Sequence, residues 1–259
     1  LVPAGRWLRP QDIGGLVAVG ITSVSVAPRP LVALIATGDE LVSPDMEVSP
    51  GQVRDINTYT LSGLVRQAGG VPLPLGIVPD DRKALREAAS EGLKKADMLV
   101  ISAGSSVSTR DLTAEVIASL GEPGIMVHGI AIRPGKPTIL AIASGKPVVG
   151  LPGNPVSAMV VFNLLVKPAL YRLAGCTDPP APPTVEAYLT KNIASTAGRE
   201  DHIPVKLEER DGALWATPIF GESNLITTMM KSDGTALVPL DKLGLAEGQR
   251  VTVTLFRAG

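Results

Sequence analysis

Cysteine is almost missing from this 259-residue chain. Cys176 stands alone, which excludes an intramolecular disulfide and any cysteine-rich zinc site, because zinc takes about four N, S or O ligands. Histidine is nearly as scarce: His128 and His202 are the only two, with no second histidine at i+3 or i+4, so each reads as a packed or solvated imidazole rather than a metal ligand. Aromatic residues make up 3%, too few for the stacking platforms of nucleic-acid modules, and a formal net charge of −1 with scattered charges leaves no basic face for a polyanion. Nucleic-acid binding is not expected. No uninterrupted apolar run approaches the ~18 residues of a membrane helix, and the first residues lack the charged-then-apolar pattern of a signal sequence. A soluble, cytoplasmic protein with no membrane association is the expectation.

What is present is order. The length suits one large domain or two ordinary ones. After Pro28-Arg29-Pro30 comes L-V-A-L-I-A-T-G-D-E-L, a run too short for a normal helix and suited to a strand buried on both faces. Asp55 or Asn57 can cap the next segment, where Leu61, Leu64, Val65 and Ala68 recur at helical spacing until Gly69-Gly70. V-P-L-P-L-G-I-V predicts a strand, Asp80 a cap for a helix to about Lys95, and D-M-L-V-I-S a second buried strand. Leu112–Leu120 predicts a helix; I-M-V-H-G-I-A-I, T-I-L-A-I-A and P-V-V-G-L predict strands; Pro155 to about Gly175 predicts a long apolar helix. This alternation argues for a doubly wound α/β domain over residues 28–177 with a mostly parallel sheet. D-P-P-A-P-P (178–183) predicts a stiff linker, since proline fixes φ and cannot continue a helix. Five short β-like segments with Asp211-Gly212 and Asp233-Gly234 turns then predict a small all-β barrel or sandwich over residues 184–259.

Ligands of open parallel sheets bind outside the carboxyl ends of the strands, which directs attention to three loops. Thr37-Gly38-Asp39-Glu40 joins a hydroxyl, a glycine and two carboxylates, either a hard-cation site or a tight turn with a capping aspartate. Ser102–Thr113 carries six hydroxyls with Gly104, Arg110 and Asp111, either an anion nest or a serine-rich loop with Asp111 as N-cap. Pro152-Gly153-Asn154-Pro155 makes a rigid turn that sets Pro155 at the first helical position and is expected to leave the Val156 and Ser157 N–H groups facing outward for an anion. A-I-R-P-G-K-P-T adds Arg133, a planar fork, and Lys136, a point charge. Carboxylates for a divalent ion beside cationic groups for oxyanions suit phosphoryl or nucleotidyl chemistry.

In this order, T-G-D-E-L, G-Q-V-R-D-I-N, A-G-S-S-V-S-T-R-D, R-P-G-K-P and L-P-G-N-P-V-S-A resemble the molybdopterin molybdenumtransferase family, to which the E domain of gephyrin belongs. G-R-E-D (198–201) and S-N-L-I-T-T-M-M-K-S-D-G extend the resemblance into the β region. The resemblance implies insertion of molybdenum from molybdate into adenylylated molybdopterin with release of AMP, assisted by a divalent cation, usually magnesium. It implies that Asp39, Glu40 and Asp111 are catalytic carboxylates near the metal and the adenylate phosphate, with Glu40 and Asp111 as metal ligands. By the same carry-over, Thr37, Gly38, Asn57, Gly104, Ser105, Ser106, Pro152, Gly153, Asn154 and Pro155 bind substrate, and Lys136, Pro137, Ser157, Arg199 and Ser223 shape the molybdate pocket, with Arg133 beside it. The family acts as a homodimer, with molybdopterin adenylyltransferase and molybdoenzymes as partners in the pathway. Leu1–Ala27 resembles only the end of the family's additional N-terminal region, so the chain is expected to lack most of that region. The related adenylyltransferase and the competence-damage-inducible-type hydrolases share the α/β domain but not the β region. An inactive scaffold would not need Asp39, Glu40, Asp111, Lys136 and Arg199 together, and a molybdate or cofactor store would show binding without AMP release.

Overall fold

Leu31–Thr37 (β1) is apolar until its final threonine and buried from Val32 onward. A strand with no solvated face has to lie inside a sheet covered by helices on both sides, and the computed structural model, which describes residues 1–104 and 107–256, places it there. Val71–Val78 (β2), Met98–Ala103 (β3) and Lys146–Pro152 (β7) run parallel with it in the order β2-β1-β3-β7. Ile139–Ala143 (β6) and Pro123–His128 (β4) add an antiparallel edge beyond β7. The sheet is thus mixed but mostly parallel, as the strand–helix alternation predicts.

Alternation along the strands divides the core. Ala33, Ile35, Leu99 and Ile101 face Leu85 and Ala89 of Arg82–Lys95 (α3) and Ile117 of Val107–Ala118 (α4). Val32, Leu34, Met98 and Val100 face Leu61 and Val65 of Asn57–Gln67 (α2) and Phe162 and Val166 of the long helix Pro155–Leu173 (α5). By length and composition α5 could cross a membrane; half of it is buried here as a core helix. Its middle, Phe162–Val166, is a π-helical segment just before Pro168. Proline offers no N–H and its ring crowds the carbonyl four residues back, and a wider turn relieves both.

Three boundaries differ from expectation. The cap of α3 is Asp81, whose carboxylate accepts the Ala84 N–H at 2.8 Å, while Asp80 is drawn into the sheet edge by two hydroxyls. Helix α4 begins at Val107, not Leu112, so Thr109, Arg110 and Asp111 are helical rather than part of a loop. The expected strand I-M-V-H-G-I-A-I breaks after His128: Gly129, at φ +89, turns the chain, and the N–H groups of Gly129 and Ile130 bond back to the carbonyls of Thr138 and Lys136. A further helix, Pro10–Ala18 (α1), buries none of its residues.

The piece beyond that break, Ile132–Arg133 (β5), joins a different sheet. Thr184–Leu189 (β8), Glu200–Arg210 (β9), Ala213–Pro218 (β10), Gly234–Val238 (β11) and Arg250–Leu255 (β12) pair in the order β10-β8-β12-β11-β9, and β9 closes the ring against β10. This is a five-stranded barrel around Ala187, Leu189, Val205, Ala216, Ala236, Val238 and Val253. Asp211 and Gly212, at φ +51 and +75, form the β9–β10 hairpin turn that their sequence announces. Strand β5 pairs parallel with β9, Ile132 opposite Glu200 and Arg133 opposite Asp201, so the arginine–proline loop is fastened to the barrel.

Candidate active site

The carboxyl ends of β1, β3 and β7 press three loops together. Asn57, at the start of α2, donates from Nδ2 to Ser102 Oγ and to the Gly153 carbonyl, both at 2.7 Å. Asp55 does the capping instead, accepting the Thr58 N–H at 3.1 Å. A Cβ on Gly153 would sit 2.5 Å from the Ala103 carbonyl oxygen, so only glycine fits where the second and third loops cross. Glu40 folds over two further loop glycines: its carboxylate would lie 2.7 Å from a Cβ on Gly38 and 3.1 Å from one on Gly104, so a side chain at either would push it aside.

These loops enclose a cavity of about 330 Å³ lined by Thr37, Glu40, Asp55, Asn57, Gly104 and Asn154, among others. Asp39 points sideways and accepts the Asp80 N–H at 3.0 Å. The carboxylate of Asp80 receives the hydroxyls of Thr37 at 2.8 Å and Thr109 at 2.7 Å, tying the first loop to α4. Asp80 was not anticipated as a site residue; two consecutive aspartates after a strand, where one suffices as a cap, were its signal. Asp80→Ala leaves two hydroxyls without their acceptor, and a loss of about 1–3 kcal/mol in urea unfolding is expected.

A larger cavity, about 1060 Å³, opens between the α/β domain and the barrel. Arg110, Arg133, Lys136, Pro137, Pro152 and Ser157 reach it from one side, Arg199, His202, Phe220 and Ser223 from the other. Lys136 is exposed and Ser157 buried, yet both line this one space. Gly104, Asn154 and Asn224 line both cavities. The smaller space carries the carboxylates of Glu40 and Asp55 beside Arg54, the larger one four cations, Arg110, Arg133, Lys136 and Arg199, beside Glu222, and they meet at those three residues.

The helix end behaves differently from expectation. The Val156 N–H does not face outward: it donates to the Ser223 carbonyl at 3.1 Å, and Asn154 Nδ2 donates to Ser223 Oγ at 2.9 Å. A loop of the barrel has taken the first free donor of α5, leaving Ser157, whose N–H has no backbone acceptor among the described residues. Ser223 thus buttresses the turn as well as lining the cavity. Pro155 is buried at the first helical position, as predicted.

Glu40 and Asp111 are not brought together as a metal cluster. Asp111 is exposed on α4 and lines neither cavity, and no group of three or more His, Cys, Asp or Glu gathers among the described residues. Ser105 and Ser106 lie outside the described residues.

Arg199 and Asp201 form the best-defined ion pair at the larger cavity: Arg199 Nε to Asp201 Oδ1 is 2.9 Å, with Asp201 fully buried. Beside them His202 is buried, and its Nε2, 3.8 Å from a Glu200 carboxylate oxygen, has no hydrogen-bond partner among the described residues. Burial pushes its pKa below the usual histidine value, against the opposing pull of Glu200 and Asp201. A depressed folded-state pKa means that the unfolded chain takes up the proton first, so stability is complete above pH ~6.5 and falls as pH drops through the folded value. Thermal melts between pH 7 and 5 should show this loss, and His202→Gln should flatten it.

Comparison with known proteins places this arrangement. A family model described as a probable molybdopterin binding domain matches residues 33–172, and one described as the MoeA C-terminal region (domain IV) matches residues 186–256. A molybdopterin molybdenumtransferase of Nostoc sp. is 34% identical over 98% of this chain and 59% of its own length; one of Bacillus subtilis is 30% identical over 99% and 60%. The crystal structure of a molybdopterin biosynthesis MoeA protein from Pyrococcus horikoshii superposes with a TM-score of 0.85 at 40% identity, over 100% of this chain and 62% of that one. A molybdenum cofactor biosynthesis protein from Pyrococcus furiosus gives a TM-score of 0.74 at 30% identity, over 98% and 78%. Fold and site define a molybdopterin-binding α/β domain carrying a MoeA-type barrel. The chain belongs to the molybdopterin molybdenumtransferase family. It spans about three fifths of the length of these curated relatives.

Proposed function

We propose that this chain carries the active site of a molybdenum insertase, which takes molybdenum from molybdate into adenylylated molybdopterin and releases AMP. The observation that supports this most is the pair of adjoining cavities, one holding Glu40 and Asp55 and the other rich in cations, meeting at Gly104, Asn154 and Asn224. A tetrahedral dianion suits the larger one, where Arg133, Lys136 and Arg199 supply charge and Ser157 a hydroxyl. The adenylate phosphate suits the junction, with Thr37, Asn57 and the glycines of the loops forming its walls.

Magnesium is proposed as the assisting ion. It usually takes one or two protein carboxylates and fills its remaining positions with water and substrate phosphate oxygens, so a site without a carboxylate cluster fits it. Glu40, folded over Gly38 into the smaller cavity, would hold it. When bound, the ion neutralises charge building on the phosphate that leaves with AMP. We further propose a cytoplasmic homodimer, with an adenylyltransferase supplying the substrate and molybdoenzymes receiving the product.

The test is AMP release from adenylylated molybdopterin by the full-length protein with magnesium, with and without molybdate, beside Glu40→Gln. Molybdate-dependent release that the substitution largely removes is expected. Binding without release in the unsubstituted protein would instead make it a scaffold or store.

A further inference from the structure

The buried carboxylate of Asp201 belongs neither to the core nor to the cavity wall. It lies in β9, a strand paired on one side with β11 of the barrel and on the other with β5 of the α/β domain, so the register sets Arg133 directly opposite it. Arg199 Nε and Nη2 approach its two oxygens at 2.9 and 3.4 Å, and Arg133 Nη1 lies 3.9 Å from Oδ2. One arginine comes from each domain, and both line the larger cavity together with Lys136.

The four cations around this space, Arg110, Arg133, Lys136 and Arg199, repel each other, and long side chains in that position would drift apart toward water. A carboxylate with no solvent exposure does the opposite. It holds the Nε edge of Arg199, which leaves the other terminal nitrogen of the fork for a ligand. It attracts Arg133 by charge rather than by a hydrogen bond, 3.9 Å being too long for one. We infer that Asp201 is a positioning residue for oxyanion binding, acting through Arg199 and Arg133 to hold one guanidinium from each domain at the shared cavity. This rests on the reading that the larger cavity receives molybdate.

Two measurements on the full chain test it. Calorimetric titration with molybdate compares the unsubstituted protein, Asp201→Asn, Arg199→Gln and the double variant. Asp201→Asn should weaken binding at least tenfold, and adding it to Arg199→Gln should cost clearly less than that, because only the longer-range pull on Arg133 is left to lose. Equal affinity in Asp201→Asn, or full additivity in the double variant, overturns the proposal and leaves Asp201 a structural ion pair. The second measurement needs no ligand: phenylglyoxal modification of Arg199, followed by mass spectrometry, should run several-fold faster in Asp201→Asn. An unchanged rate overturns positioning by itself. Failure of the unsubstituted protein to bind molybdate would sink the functional reading, and the labelling rate then decides the role of Asp201.

Discussion

Gly153→Ala is expected to destabilise the chain by about 2 kcal/mol and to open the site. The methyl group would meet the Ala103 carbonyl oxygen at 2.5 Å and the Gly104 Cα at 3.1 Å, both backbone atoms that no rotamer change can move aside. Overpacking of this kind costs about 1–3 kcal/mol when relaxation has to come from the backbone. The same shift pulls the Gly153 carbonyl from Asn57, whose Nδ2 bonds join α2, β3 and the turn before α5. Urea unfolding should therefore show the lost stability, and molybdate affinity should fall with it. Gly63→Ala is the control, since a Cβ there meets nothing within 4 Å.

Glu40→Gln is expected to do the reverse, sparing stability and removing activity. Glu40 is partly exposed, has no ion-pair partner among the described residues, and lines the smaller cavity with its carboxylate over Gly38 and Gly104. Its neighbour in that cavity, Asp55, is committed to capping α2. Glutamine keeps the shape and removes the charge that would face a divalent ion. Molybdate-dependent AMP release by the full-length protein should drop by about 10²–10³, the scale seen when one preorganised electrostatic group is removed. An unchanged midpoint in thermal unfolding would show that the loss is chemical.

Much of this architecture can be read from residue order because burial dominates it. L-V-A-L-I-A, D-M-L-V-I-S and P-V-V-G-L are apolar without alternation, and a parallel sheet between helix layers is where such strands fit. The sheet-edge rule then selects the three loops that line the cavities. What could not be read depends on partners distant in sequence. Ile132-Arg133 looks like the end of a longer strand, but its hydrogen bonds go to Glu200 and Asp201. Asp80 and Asp81 are equivalent caps on paper, and only the hydroxyls of Thr37 and Thr109 separate them. The Val156 N–H looks free until the loop carrying Ser223 folds over it. Ile226–Met230, a short helix of I-T-T-M-M, runs against the extended preference of its β-branched residues and is set by tertiary packing.

The central claim is that one oxyanion site lies between the two domains, built from both. Tungstate is nearly isosteric with molybdate and scatters strongly, so a crystal of the protein soaked in it should show a single anomalous peak bounded by Arg133, Lys136, Ser157, Arg199 and Ser223. A peak at the acidic cavity beside Glu40, or on one domain alone away from Arg199, would contradict the account.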